Sequence, residues 1–233
     1  MLRSLAVLFL ALLLNGCAYF GFEEDPDLQE PANLGDLKQE LLAYKYYSAY
    51  ERDIAAVDIE AQLFIEQRAS MVTKPALVLD IDETSLSNWP EIVANDFARV
   101  AEGPCNRLPK GPCGVKAWQK LAIDEAIEPT LSVFKIARSH GVAVFFITGR
   151  DESLRAATEK NLRAAGYSGW VKLIMRPAGT TTPSAADYKA PEREKIEDAG
   201  YTIIANIGDQ PSDLAGGFAE RTYKLPDPFY RIP

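Results

Sequence analysis

The stretch ALVLDIDETSLSN, residues 76–88, sets four apolar residues directly against three acids, Asp80, Asp82 and Glu83. A short apolar run that ends abruptly reads as a strand buried on both faces. Carboxylates crowded at the end of such a strand are costly unless a cation or a proton accompanies them. Outward from this stretch, similar runs recur at 142–148 (VAVFFIT), 171–175 (VKLIM), 202–209 (TIIANIGD) and 221–225 (RTYKL). Helical segments with readable ends lie between them. PTLSVFKIARSHG carries Arg138 and His140 before Gly141, a charge and glycine stop. DESLRAATEKNLRAAG opens on Asp151 as an N-cap and stops at Gly166. Pro191 and Pro211 suit first helical positions. Strands alternating with helices predict an α/β fold, a doubly wound, Rossmann-like parallel sheet of about five strands with helices on both faces. Residues 85–126 break the alternation and read as a small cap inserted after strand one, over the edge where ligands bind in such sheets.

The N-terminus speaks to compartment. In MLRSLAVLFLALLLNGC, Arg3 precedes ten apolar residues at 5–14, too few to span a bilayer and fitting a signal-peptide core. The ending LNGC resembles a bacterial lipoprotein cleavage box, which implies a signal peptide over 1–16 and a lipid on Cys17. The protein is then exported and held to a bacterial membrane facing the periplasm or exterior, through a tether at 17–33. Residues 34–72 form a helical extension to a single domain at 34–233, in which YKYYSAY reads as packing surface. With Cys17 set aside, Cys105 and Cys113 remain as a disulfide pair in an oxidising compartment. A zinc site is the rival, but the one histidine, His140, lies far along the chain. Trp89 and Trp118 either line a substrate mouth or pack within the cap. The formal charge of −8, without any Lys/Arg-rich run, leaves no footprint for nucleic acid.

Placed on the expected sheet, Asp80 and Asp82 end strand one, Thr148 ends strand two and Asp209 ends strand four. Lys189 follows strand three, and Asp213 follows Asp209 by one helical turn. All converge on one edge. Phosphoryl transfer through an acyl-phosphate fits this set. On a period-two strand Asp80 and Asp82 share a side, so one carboxylate can attack phosphorus while the other moves the proton. Two carboxylates and a dianionic substrate call for a cation, and hard oxygen donors select Mg²⁺, with Asp209 as a further ligand. Thr148 and Lys189 would hold the phosphate oxygens. Glu83 and Arg150 read as helix-start or supporting residues.

The segments DIDET, FFITGR, YKAPER and GDQPSDL resemble the four motifs of the haloacid dehalogenase (HAD) superfamily. The longer matches DETSLSN, ITGRDES and GDQPSDLAGG are similar to class C, lipoprotein-type acid phosphatases and to plant vegetative storage proteins. The resemblance implies that Asp80 is the nucleophile and Asp82 the general acid and base. Mg²⁺ would take the carboxylates of Asp80 and Asp209 and the backbone carbonyl of Asp82. Asp213 and Thr84 would support the site. The expected protein is an exported acid phosphatase acting on small phosphomonoesters, with nucleoside 5′-monophosphates the class C expectation. A non-enzymatic binding or storage protein, or a phosphotransferase to alcohols, are the alternatives.

Overall fold

Leu77 and Leu79 of the first strand, β1 (Pro75–Leu79), enter one apolar cluster, while Ala76 and Val78 enter another. That alternation is what a strand covered on both faces requires. The computed structural model describes residues 30–180 and 184–232. The expected signal peptide, Cys17 and most of the expected tether therefore lie outside the described residues. Leu34–Pro233 forms one compact unit. No helix among the described residues is long and apolar enough to cross a membrane.

The unit opens with two helices, α1 (Leu34–Tyr46) and α2 (Ala49–Arg68). A two-residue hairpin, β2 (Leu86–Ser87) against β3 (Glu125–Ala126), forms a neck. The insertion beyond it holds the short helices α3 (Trp89–Ala94) and α4 (Val115–Leu121). The chain then alternates: α5 (Glu128–Ser139), β4 (Ala143–Asp151), α6 (Arg155–Ala164), β5 (Lys172–Arg176), α7 (Ala186–Asp198), β6 (Thr202–Gly208), α8 (Pro211–Leu214) and β7 (Arg221–Lys224). Five strands form one parallel sheet in the order β5-β4-β1-β6-β7. Residues of α2, α5 and α6, such as Ile54, Phe134 and Leu162, cover one face. Ile196 of α7 covers the other. From β1 the chain steps outward to β4 and β5, then returns to the opposite side as β6 and β7. This reversal makes the β1/β6 edge the switch point where a parallel sheet opens a crevice.

Three sequence readings need correction. β1 stops at Leu79, so Asp80 and Asp82 are not strand neighbours sharing a face. They sit in a tight turn in which the N–H groups of Thr84, Ser85 and Leu86 all donate to the Ile81 carbonyl. Pro191 lies inside α7 rather than at its start. The helix extends N-terminal to the proline because Lys189 and Arg193, four residues apart and therefore on one face, are both anchored in buried contacts. In YKYYSAY, Tyr50 is buried, but Tyr46 and Tyr47 are 81% and 70% exposed, so only part of that cluster packs. Pro211 does begin α8, and Asp151 caps the 3-10 turn Glu152–Leu154 by accepting from the Ser153 N–H.

Candidate active site

Asp80 follows β1 and Asp209 follows β6, two hydrogen-bonded neighbours, so the topology alone brings these acids together. The Asp80 N–H donates to the Ile207 carbonyl at 3.0 Å, and the Ser85 hydroxyl donates to the Asp80 carbonyl at 2.6 Å. α7 delivers Lys189, whose ammonium donates to Asp80 Oδ1 at 2.5 Å and to Asp213 Oδ1 at 2.6 Å. Four residues on, Arg193 donates to the carbonyls of Asp213, Ala215 and Gly217, bolting α7 to the end of α8. Asp213 Oδ2 accepts from the Gln210 N–H at 2.8 Å. Gly208 permits this closeness: a Cβ there would stand 2.5 Å from the Asp213 Cβ.

Carboxylate oxygens of Asp80, Asp209 and Asp213 all lie within 4.8 Å of one another, and all three residues are buried. Burial raises the Asp80 carboxyl to about 7, opposed by the Lys189 charge and reinforced by Asp213 and Asp82. Asp209 is pushed well up by burial and by its acidic neighbours. Lys189 is driven upward in spite of its burial because Asp213 and Asp80 hold its proton. Three acids against one ammonium leave net negative charge in a buried, all-oxygen donor set, which fits a divalent cation. The Asp82 carbonyl is spared by the turn, whose bridge uses Ile81 and Leu86 as acceptors and Glu83 and Leu86 as donors. Thr84 donates to Asp209 Oδ1 at 3.2 Å, and Gln210 Nε2 donates to Asp209 Oδ2 at 2.6 Å.

Asp82 lives in different company. Its carboxylate meets Arg150, with Nη2 to Oδ1 at 2.8 Å and Nε to Oδ1 and Oδ2 at 3.1 and 3.2 Å. Asn88 Nδ2 adds a bond to Oδ1 at 2.9 Å. Burial pushes this carboxyl up, but the Arg150 charge and these hydrogen bonds outweigh it and hold the group below its ordinary range. Glu83, at φ +52°, turns its carboxylate inward to the Asn88 N–H and Nδ2 and to the Tyr230 hydroxyl. Burial raises it to about 8.

Above these groups lies a cavity of about 470 Å³, walled by the sheet edge, the insertion and the C-terminal tail. Asp80, Asp82, Lys189, Asp209 and Asp213 all line it. Thr148 is fully buried, and its hydroxyl accepts from the Arg150 N–H at 3.1 Å. The cavity wall at that point is Gly149, where a Cβ would meet nothing within 4 Å. Aromatic lining comes from Phe97, Tyr188, Phe229 and Tyr230 rather than from either tryptophan. Trp89 packs against Phe97 and Phe229. Trp118 is buried beside the Cys105–Cys113 disulfide and donates to Asn88 Oδ1 at 2.9 Å. Cavity residues at 229 and 230 carried no sequence signal, because nothing local marks a tail that folds back over a distant strand end.

A family model described as HAD superfamily, subfamily IIIB (acid phosphatase) matches residues 31–233. The stem 28 kDa glycoprotein of Glycine max is 33% identical over 91% of this chain and 78% of its own length. Acid phosphatase 1 of Solanum lycopersicum is 32% identical over 66% of this chain and 58% of its own length. Among solved structures, the class C acid phosphatase from Bacillus anthracis shares the fold. Its TM-score is 0.66, with 23% identity over 85% of this chain and 86% of that one.

Proposed function

The chain belongs to the acid phosphatases of HAD subfamily IIIB and is a phosphomonoesterase of that type, and from that premise we propose that it hydrolyses small phosphomonoesters through an acyl-phosphate of Asp80. The observation that carries the proposal is the buried Asp80 carboxylate. One oxygen is held by Lys189 at 2.5 Å, and the other has no hydrogen bond to any described residue, at the floor of an open cavity. The unoccupied oxygen of Asp80 attacks phosphorus as the bond to the leaving oxygen breaks; Asp82, ionised in the empty site, takes up a proton from solvent as the anionic substrate enters and passes it to the leaving oxygen. Water then attacks phosphorus, its proton returns to Asp82, and the bond from Asp80 breaks to release phosphate. Lys189 neutralises charge on the non-bridging oxygens and the backbone at Gly149 approaches the phosphate, while Thr148, buried behind that wall, supports the turn through the Arg150 N–H.

Asp80 and Asp209, with the Asp82 carbonyl, would hold Mg²⁺, and Asp213 steadies Lys189. When bound, the cation offsets the repulsion between the acids and the incoming phosphate and withdraws charge from the phosphoryl group. Phe97 and Phe229 in the wall support substrates carrying a flat ring, nucleoside 5′-monophosphates among them. The N-terminal sequence supports export and a lipid at Cys17, which a mass measurement of the mature N-terminus checks.

The test is turnover of an aryl phosphate with and without chelator, beside Asp80→Asn. Loss of turnover in both, with restoration by Mg²⁺ for the unaltered chain only, is expected. Persistent turnover in Asp80→Asn would sink the mechanism. Failure of the unaltered chain to turn over any phosphomonoester would favour a binding or storage role, and phosphate appearing on an added alcohol would favour phosphotransfer.

A further inference from the structure

Asp82 is gripped asymmetrically. Its Oδ1 accepts three hydrogen bonds, from Asn88 Nδ2 at 2.9 Å, Arg150 Nη2 at 2.8 Å and Arg150 Nε at 3.1 Å. Its Oδ2 shares only the Arg150 Nε, at 3.2 Å. A carboxylate oxygen offers about two lone-pair directions, so Oδ1 is fully used and Oδ2 is not. The donors are themselves immobilised. The Arg150 side chain is 0% exposed, and its Nη2 also reaches Asp124 Oδ2 at 3.0 Å. Asp124 lies where the insertion returns to the sheet, just ahead of β3, and Asn161 of α6 clamps it from both sides. The Asp124 N–H donates to Asn161 Oδ1 at 3.0 Å, and Asn161 Nδ2 donates to the Asp124 carbonyl at 2.7 Å. On the other flank, Asn88 is fixed by Trp118 at its Oδ1 and by Glu83 at its Nδ2.

We infer that Arg150 and Asp124 are positioning residues for proton transfer: through the guanidinium they lock Asp82 by Oδ1 and leave Oδ2 as the oxygen that gives and takes the proton. The inference rests on the reading of Asp82 as acid and base, and deepens it by naming the atom and what aims it. An ion pair kept only for folding has no need to saturate one oxygen of the acid and spare the other. The fork of Arg150 does this because its geometry is rigid, and Asp124 fixes the direction of that fork. The return strand of the insertion thus reaches the chemistry without touching substrate.

The experiment compares kcat/KM for an aryl phosphate, whose leaving group needs little protonation, with that for an alkyl phosphate, which needs a well-aimed acid. In Asp124→Leu the alkyl value falls about tenfold further than the aryl value. Inhibition by inorganic phosphate stays within about twofold of the unaltered chain, since the phosphate contacts are elsewhere. Asp124→Asn, whose amide oxygen still accepts from Arg150, recovers most of the alkyl loss. Arg150→Lys keeps the charge without the fork; it gives the same alkyl-selective loss and serves if Asp124→Leu does not fold. Equal losses on both substrates, or no loss, would overturn the inference. Asp82→Asn is the separate control: if it shows no alkyl-selective loss, the acid and base reading itself fails. If it does and the Asp124 and Arg150 variants do not, only the positioning inference fails.

Discussion

Asp80 and Asp82 stand two residues apart, line one cavity and have opposite surroundings. The floor around Asp80 is a buried acidic cluster sharing one ammonium, and its carboxyl is raised to about 7 by burial. The wall around Asp82 is a guanidinium fork plus an amide, and there the cation outweighs burial and the carboxyl is lowered. Asp82 keeps 23% of its side chain exposed and Asp80 9%, so the two differ in solvent as well as in partner. What separates two identical side chains is the ratio of cation to carboxylate around each, and the strands and helices set that ratio.

The sharpest way to break the contrast is Lys189→Met, which leaves the Asp80 and Asp213 carboxylates buried without their cation. Removing one partner of a buried pair costs about 3–5 kcal/mol, read as a lower urea midpoint. Turnover should fall roughly 10²–10³-fold. If a divalent cation compensates in the folded protein, added Mg²⁺ will return part of the stability but not the turnover.

A third acid supplies the control of burial without any cation. Asp58 of α2 is 2% exposed; among the described residues it accepts only from the Thr130 hydroxyl at 2.8 Å, and its other oxygen has no hydrogen-bond partner. Burial raises it from 3.8 to about 7. A folded pKa above the unfolded one means that the folded state holds the proton more tightly. Stability from this group is therefore full below about pH 4 and lost as pH rises toward 7. The loss approaches about 4 kcal/mol. In Asp58→Asn, denaturant titrations at pH 5 and pH 8 should differ by correspondingly less than in the unaltered chain. An unchanged difference would assign the pH dependence to other groups.

Smaller effects sharpen the difference between floor and wall. Replacing Cys105 and Cys113 together by Ala opens a loop of eight residues' separation. That should cost about 2–3 kcal/mol of stability. The insertion is loosened while the Lys189 floor is untouched, so inhibition by inorganic phosphate should be unchanged. Gly208→Ala does the reverse. It drives a methyl into the Asp213 side chain, costs about 1–3 kcal/mol, and weakens phosphate inhibition by displacing Asp213 from Lys189.

Much of this was legible in the chain. The four apolar runs at 76–79, 142–148, 171–175 and 202–207 each became a strand of the parallel sheet, because a strand buried on both faces must be apolar throughout. Asp80, Lys189, Asp209 and Asp213 were legible as a group because each follows a strand or opens a helix at the same edge. Arg150 was read only as supporting, since the contact that gives it meaning crosses 68 positions. Asp124 and Asn161 gave no sign, because an acid in a loop and an amide in a helix are commonplace until brought together.

By itself the sequence determined the α/β architecture, the edge of the sheet where the candidate site lies, and the acids and lysine gathered there. These follow from local patterns: apolar runs of strand length, helix ends, and polar residues at fixed offsets from both. The tertiary structure decided which aspartate faces an ammonium and which a guanidinium. It also folded the tail's aromatic rings into the cavity and joined the Asp82 carboxylate, through Arg150, to Asp124 at the return of the insertion. Those features depend on side chains brought together from distant elements, and pairwise electrostatics in a low-dielectric site is set by separations of a few ångströms that no local pattern encodes.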